Sequence, residues 1–288
     1  MRSMVKRVGV LFGLAALSLL ITAIAGGTWV GLLLANIKTG LRVPWAPVVM
    51  AVLVWILWQY LNGRWAPRST SAARHEYLRA RNVPTRIWIW SFVAGALAII
   101  SVAGGWIVLS QLIAMKPNNL PSLGHVPALS LVLILIVASL VAPFSEEAGF
   151  RGYLQTALER NLRSPFVAVL LSSFVFALAH LTQGFYWPKQ LLYFLVGVIF
   201  GTIAYLTNST LPALPVHIFG DLVMFIFVWP YDASRQLVRD VGTSHWFWIH
   251  VAQMIVFAAL ALLVYRGLRS ISHSCRSVVN NSPREEEG

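Results

Sequence analysis

The stretch Ser145-Glu146-Glu147-Ala148-Gly149-Phe150-Arg151-Gly152 directly follows the apolar run from Leu131 to Phe144. Its two adjacent carboxylates and one guanidinium therefore stand where the hydropathy pattern has not yet left the membrane. Burying ionisable groups in hydrocarbon is costly unless they are paired or face a wet cavity. The stretch consequently predicts a functional site inside a membrane protein.

The composition of the whole chain agrees with this interpretation. Hydrophobic residues make up 58% of the 288 residues and charged residues only 11%, whereas an ordinary soluble domain carries about 25% charged residues. Repeated apolar runs with short links predict an all-α polytopic bundle of about eight transmembrane helices over residues 1–276. The polar interruptions fall in a core at 128–229, and residues 277–288 are predicted to form a polar, disordered tail.

The charge of the chain is concentrated between the apolar runs. The formal net charge is +12, and the Lys and Arg residues in the links favour topology signals and contacts with anionic lipid over nucleic-acid binding. The Arg-dense link over residues 64–86 is expected to be cytoplasmic, with substrate docking as an alternative role. We expect a multi-pass plasma-membrane protein with cytoplasmic N- and C-termini. Cys275 is the single cysteine, which excludes a disulfide framework and a thiolate metal cluster.

Two further polar interruptions lie in later apolar runs. His180 ends the run 166–181, and His217 and Asp221 lie within the run 211–229. At ~1.5 Å per residue, Glu147 lies ~20 Å and His180 ~25 Å from the turn at Asn161, on antiparallel helices. His217, near the start of its own span, reaches a similar depth. We therefore expect these side chains to converge on one wet pocket.

The residue types in this pocket suit hydrolysis by activated water. Glu147 and Arg151 are four residues apart on one helical face, so the guanidinium can neutralise one carboxylate and leave the other as a general base. His217 and Asp221 have the same spacing. Imidazoles can bind or polarise a substrate, and a carboxylate can fix an imidazole tautomer. No serine or cysteine among the interruptions is an obvious nucleophile.

Simpler interpretations exist for each feature. The acidic stretch alone could be a salt-bridged helix end, and each histidine alone could be a packing residue. For the whole set, the alternatives to an enzyme are a non-catalytic membrane scaffold that retains the cavity, and a proton-coupled transporter.

Three motifs carry a resemblance to a known family. They are Glu146-Glu147-Ala-Gly-Phe-Arg151, Phe176-Ala-Leu-Ala-His180 and His217-Ile-Phe-Gly-Asp221. In this order they resemble the CPBP (CAAX prenyl protease and bacteriocin-processing, or Abi) intramembrane proteases, whose pattern is Glu-Glu-x-x-x-Arg, Phe-x-x-x-His and His-x-x-x-Asn or Asp on separate membrane helices. The resemblance implies an eight-helix bundle with an intramembrane cavity, acting as an endopeptidase on a membrane-associated peptide or protein. The alternative that it implies is a non-catalytic scaffold or bacteriocin-immunity-type protein that retains the cavity.

The resemblance also implies roles for the catalytic set Glu146, Glu147, Arg151, His180, His217 and Asp221. Glu146 would activate water with His180 assisting, Arg151 would orient the carboxylates, and His217 with Asp221 would hold the oxyanion. The prenyl endopeptidase branch has Asn where this chain has Asp221. An ionised Asp cannot donate a hydrogen bond, so Asp221 would orient His217, be protonated, or help to hold a metal.

Metal use and substrate identity stay open at this point. The family is often called metalloprotease, and Glu146, His180 and His217 are the candidate ligands for Zn²⁺; the alternative is metal-free water. The substrate could be a prenylated protein, a bacteriocin leader or another membrane protein, and the sequence leaves the oligomeric state undetermined.

Overall fold

The computed structural model describes residues 2–38, 45–115, 128–162, 164–183 and 185–281, and all regular structure in these residues is helical. The α-helices in these ranges are α1 Arg2–Lys38, α2 Trp45–Leu61, α3 Ser71–Leu78, α4 Thr85–Leu112, α5 Ala128–Glu146, α6 Gln155–Asn161, α7 Pro165–Ala179, α8 Trp187–Thr207, α9 Ala213–Leu222, α10 Val238–Val241 and α11 His245–Asn281. The predicted all-α membrane bundle is confirmed.

Irregular helical turns join several of these helices. A π-helix, Glu147–Leu154, connects α5 to α6, and a second, Val223–Val228, follows α9. Short 3₁₀ turns occupy Arg68–Thr70, His180–Gln183 and Trp229–Ser234. The chain therefore stays helical from α5 to Asn161, but the α-helical rise assumed between Glu147 and Asn161 is interrupted by the wider turns of the π-helix.

Six helical segments in the described residues are long and apolar enough to cross a membrane: Gly9–Asn36, Thr85–Leu112, Val132–Asn161, Trp187–Thr207, Ala213–Asp232 and His245–Ser274. Two shorter apolar helices, Trp45–Leu61 and Pro165–Ala179, accompany them. The expected number of eight spans requires these two to cross as well, and it stays a prediction. The last helix continues to Asn281, into the segment predicted as a disordered tail, because no proline or glycine interrupts it there; residues 282–288 lie outside the described residues.

Small and polar residues bring α4 and α11 into close contact. A Cβ added to Gly104 would lie 3.1 Å from the His250 carbonyl oxygen, so only glycine lets the two backbones approach this closely. Ser101 Oγ donates to the Met254 carbonyl at 2.7 Å. Such contacts replace the hydrophobic driving force that helices lack inside lipid.

A short segment of residues 71–82, which we call the strap, packs against one end of the π-helix. A Cβ at Gly152 would lie 3.1 Å from the Leu78 carbonyl oxygen. The strap is also joined to the chain just before α9, since Thr210 N donates to the Arg79 carbonyl at 3.1 Å and Ser209 Oγ to the Arg81 carbonyl at 2.6 Å. The strap therefore connects the acidic stretch to the helix that carries His217.

Candidate active site

The π-helix that follows Glu146 is held by side chains from three other parts of the chain. Inside a membrane, irregular backbone persists only where protein or water satisfies its polar groups. Here the Ser18 hydroxyl donates to the Gly149 carbonyl at 2.7 Å, and the Ser172 hydroxyl donates to the Phe150 carbonyl at 2.9 Å. The Arg79 guanidinium donates to the Arg151 carbonyl at 3.3 Å. This wide turn is thus a built feature of the bundle, as π-turns at functional sites commonly are.

Glu147 joins His217 to Arg151 in the interior of the bundle. His217 Nδ1 lies 2.9 Å from Glu147 Oε1, and Arg151 Nη1 lies 3.4 Å from the same oxygen. Glu147 and Arg151 are both fully buried. Because a carboxylate oxygen is an acceptor, the His217 Nδ1 proton is donated to Glu147, and a neutral His217 then carries its lone pair on Nε2.

Two further carboxylates lie around the other ring nitrogen of His217. Glu146 Oε2 is 3.5 Å and Asp221 Oδ1 is 3.8 Å from Nε2. Their side chains are 16% and 24% exposed, whereas Glu147 is 0% exposed. The acidic pair is therefore divided: Glu147 is enclosed and holds the ring, and Glu146 reaches the accessible side.

The residue that orients His217 differs from the sequence expectation. Asp221 was one candidate for fixing the tautomer, but its distance of 3.8 Å from Nε2 exceeds a hydrogen bond. The hydrogen-bonded carboxylate is instead Glu147, at 2.9 Å from Nδ1. The pairing of Glu147 with Arg151 follows the four-residue spacing.

One face of α8 packs against the cluster. The Phe200 ring stacks on the His217 imidazole with centroids 4.2 Å apart, and the Tyr193 ring stacks on the His180 imidazole with centroids 3.9 Å apart. Between them, the Gly197 carbonyl accepts a hydrogen bond from Arg151 Nη2 at 3.3 Å. These α8 residues recur at spacings of four and three, which brings them to one face. The Arg151 guanidinium also lies 4.2 Å from the centroid of the Phe176 ring, within the range of a cation–π contact.

His180 lies beside this cluster, at the end of α7. Its Nδ1 is 2.9 Å from the Phe176 carbonyl oxygen, so Nδ1 donates and Nε2 is left as the acceptor of the neutral ring. The Phe176 ring contacts both imidazoles, with centroids 4.7 Å from His180 and 6.0 Å from His217. Within the described residues, no hydrogen bond or ion pair joins His180 to Glu146. The expected partnership between them stays a prediction.

The candidate metal ligands do not converge in the described part of the chain. No group of three His, Cys, Asp or Glu side chains there has an arrangement that could hold a metal ion. Glu146 lies 3.5 Å from His217 Nε2, whereas His180, whose Nε2 is available as a ligand, has no hydrogen bond or ion pair to either residue in the described part of the chain. The set Glu146, His180 and His217 therefore does not fit Zn²⁺ in this conformation.

Several residues that build the site escaped the sequence interpretation. Ser18, Ser172 and Arg79 support the π-helix, and Tyr193 and Phe200 stack on the two imidazoles. The helical spacing of Tyr193, Gly197 and Phe200 was an available signal, because it predicts a common face. The two serines and Arg79 carry no such signal, since each acts across a long sequence separation.

The fold and this cluster define a multi-pass helical membrane protein with a buried acid–imidazole site. Residues 128–223 match the sequence model of a family described as type II CAAX prenyl endopeptidase Rce1-like. No curated protein and no solved structure matched the chain. The matched segment, one third of the chain, contains all six predicted catalytic residues. The match agrees with the resemblance of this segment to the CPBP family, which the three motifs indicate.

Proposed function

We propose that this protein is an intramembrane endopeptidase in which Glu146 activates water to hydrolyse a peptide bond of a membrane-associated substrate. The observation that carries the proposal is the division of the acidic pair. Glu147 is enclosed and hydrogen-bonded to His217 at 2.9 Å, and Glu146 is partly exposed beside Nε2 of the same imidazole. One carboxylate then positions the imidazole while the other is accessible to water.

The acceptors around His217 support a water site. A neutral His217 offers an Nε2 lone pair, and Glu146 and Asp221 bring carboxylate oxygens to within 3.5 and 3.8 Å of it. Three acceptors in such proximity require a shared proton or a water that donates to them. A water placed against Glu146 would be polarised for attack on a carbonyl carbon.

In the proposed reaction, Glu146 takes one proton of the water as its oxygen bonds to the carbonyl carbon. The developing oxyanion is stabilised by the proton shared among His217, Glu146 and Asp221, which lies on Nε2 of a His217 imidazolium whose Nδ1 proton is donated to Glu147. Glu146 then gives the proton that it took from water to the amide nitrogen as the C–N bond breaks. The products are an amine and a carboxylic acid, which ionises by releasing its proton to water, and the protein groups in these steps are Glu146, His217 and Glu147.

Roles for the remaining residues follow from the same contacts. Arg151 neutralises Glu147 in the buried interior, and His180, with Nε2 as its remaining acceptor, assists proton movement from the substrate side. The negative charge of Asp221, 3.8 Å from Nε2 of His217, favours a proton on that nitrogen. The substrate enters from the membrane and the enzyme is located in the plasma membrane with both termini cytoplasmic, as the distribution of Arg residues predicts.

A cleavage assay with the full-length protein in proteoliposomes tests the proposal. The family description names prenyl endopeptidases, so the first substrate is a quenched fluorogenic peptide with a farnesylated cysteine near its free C-terminus. A transmembrane peptide without the prenyl group is the second. We expect cleavage of at least one, and a loss of about 100-fold or more in Glu146→Gln and His180→Ala.

Matched substitutions provide the controls. Glu76→Gln and His273→Ala make the same chemical changes at exposed residues outside the cluster and should retain the wild-type rate. Full activity in both Glu146→Gln and His180→Ala would contradict the catalytic assignment. A cellular phenotype that survives both substitutions would favour the scaffold or immunity-type alternative.

A further inference from the structure

A polar cavity lies outside the catalytic cluster. Its volume is about 570 Å³, and none of its lining residues belongs to the predicted catalytic set. The polar and aromatic residues that line it are Trp58, Asn62, Arg64, His75, Arg81 and Asn82. The cavity is bounded by the end of α2, by the strap and by the residue Leu211 just before α9.

The cavity carries positive charge that the described protein residues do not neutralise. No carboxylate is among its lining residues. The Arg64 guanidinium donates to the neutral Gln59 Oε1 at 3.0 Å, and no ion pair within the described ranges includes Arg64 or Arg81. The nearby Glu76 is already paired with Arg160 at 2.8 Å. Two guanidinium groups are therefore available to an anion from outside the chain.

Neutral donors add to these guanidinium groups. His75 Nδ1 donates to Asn62 Oδ1 at 2.8 Å, which orders the imidazole and leaves the Asn62 amino group as a donor. Asn82 contributes a second amide. Guanidinium and amide N–H groups are the partners that phosphate oxygens prefer, and arginine can bind them in a bidentate manner.

The position of the cavity identifies the source of the anion. The apolar helix α2 ends at Leu61 and α4 begins at Thr85, so the cavity lies where the chain leaves the apolar layer. Trp58 lines it, and Trp65 is 41% exposed beside it; tryptophan prefers this headgroup level. Basic pockets between membrane helices bind the headgroups of anionic phospholipids.

We propose that this cavity binds the headgroup phosphate of an anionic phospholipid through Arg64 and Arg81. The site is separate from the proposed peptidase chemistry, so lipid binding can be measured without reference to cleavage. Arg81 contacts the headgroup from the strap, and Arg64 contacts it from the chain that follows α2. The bound lipid thereby links the strap to the end of α2.

Native mass spectrometry of the full-length protein, released from micelles containing phosphatidylglycerol or phosphatidylcholine, tests the site. We expect wild-type protein to retain phosphatidylglycerol preferentially. The Arg64→Gln/Arg81→Gln variant should lose about tenfold or more of this retention, because each basic residue near the surface contributes to lipid affinity. The matched control is Arg68→Gln, which removes the same charge from the same link at a residue that does not line the cavity, and it should behave like wild type.

Further variants and competitors distinguish lipid from other ligands. Arg64→Lys/Arg81→Lys keeps the charge and should keep the preference for phosphatidylglycerol. This variant controls for a loss of binding that results from unfolding of the glutamine variant. Equal retention of both lipids by wild type, or equal retention of phosphatidylglycerol by the double variant and Arg68→Gln, overturns the proposal. Displacement of the lipid by inorganic phosphate, or by a peptide with a free C-terminal carboxylate but not by its amide, would instead assign the cavity to those ligands.

Discussion

His217 donates its Nδ1 proton to Glu147 across 2.9 Å, although the two residues are 70 positions apart in the chain. This contact couples the acidic stretch to α9 and directs Nε2 of the imidazole toward Glu146. The site therefore consists of the buried Glu147 carboxylate, the His217 imidazole and the partly exposed Glu146 carboxylate, in that order.

Glu147→Gln should lower turnover by about 10⁴-fold, because an amide in place of an orienting carboxylate permits the wrong imidazole tautomer. The size and position of the side chain are conserved, so substrate binding should change little. The measurement is kcat and KM for peptide cleavage. Glu76→Gln, at an exposed residue, is the control, and near wild-type turnover in Glu147→Gln would contradict the role of Glu147.

Arg151→Met should destabilise the fold by about 3–5 kcal/mol, because it leaves Glu147 buried without its countercharge. Both side chains are fully buried. The Glu147→Gln/Arg151→Met variant should lose clearly less stability than the summed losses of the two single variants, because no unpaired buried charge remains. The free energies of unfolding of the wild type and the three variants are measured in detergent as a double-mutant cycle. Strictly additive losses would contradict a stabilising interaction between Glu147 and Arg151.

Two arginine–glutamate bridges join the strap region to α6, and they allow a matched comparison. Arg79–Glu159 is 2.5 Å long with side chains 4% and 16% exposed, whereas Arg160–Glu76 is 2.8 Å long with side chains 37% and 57% exposed. Arg79→Gln should lower stability by about 3 kcal/mol, and Arg160→Gln by about 0.5 kcal/mol or less.

Arg79 should also affect catalysis as a positioning residue, because its guanidinium donates to the Arg151 carbonyl in the π-helix. We expect Arg79→Gln to reduce kcat with little change in KM, and Arg160→Gln to alter neither. Arg79→Lys should recover part of the kcat. An unchanged kcat in folded Arg79→Gln protein would limit Arg79 to a structural role.

Asp221→Asn should reduce turnover by only about tenfold, far less than Glu147→Gln, because Glu147 and not Asp221 holds the imidazole. The amide can also donate to an oxyanion, as the Asn of the prenyl endopeptidase branch would. The measurement compares kcat/KM for the prenylated and the non-prenylated peptide. A loss of turnover as large as that of Glu147→Gln would show that Asp221 contributes as much as Glu147 to orienting the His217 imidazole.

Metal analysis of the purified, active protein should give substoichiometric zinc, and chelation should leave the cleavage rate unchanged. The reason is that the candidate donors in the described residues do not form a three-ligand group. Loss of activity on chelation with recovery on adding zinc would refute this expectation and require Glu146, His180 and His217 to rearrange.

Much of this architecture follows from the sequence in physical terms. The apolar run of the sequence from Trp45 to Leu61 coincides with α2, because an apolar run is a local property of the chain. The contact of Glu147 with Arg151 follows from a four-residue helical spacing. The depth estimate also predicts that the acidic stretch and His217 meet, as they do at 2.9 Å.

The other parts of the site depend on contacts that no local pattern contains. The π-helix has no breaker in its sequence, and it is held by Ser18, which is 131 residues from the Gly149 carbonyl that it reaches. The choice of Glu147 over Asp221 as the partner of His217 depends on how two helices are rotated about their axes. Spacing restricts each residue to a face but does not fix that rotation.

The hydrogen bonds to the π-helix carbonyls also have a consequence for biosynthesis. Ser18 emerges from the ribosome long before the acidic stretch, and Ser172 and His217 emerge after it. The nascent chain therefore cannot shape its reactive turn until membrane insertion has delivered segments from both sides of that turn. In the proposed peptidase, the growing polypeptide would thus be latent until its assembly is nearly complete.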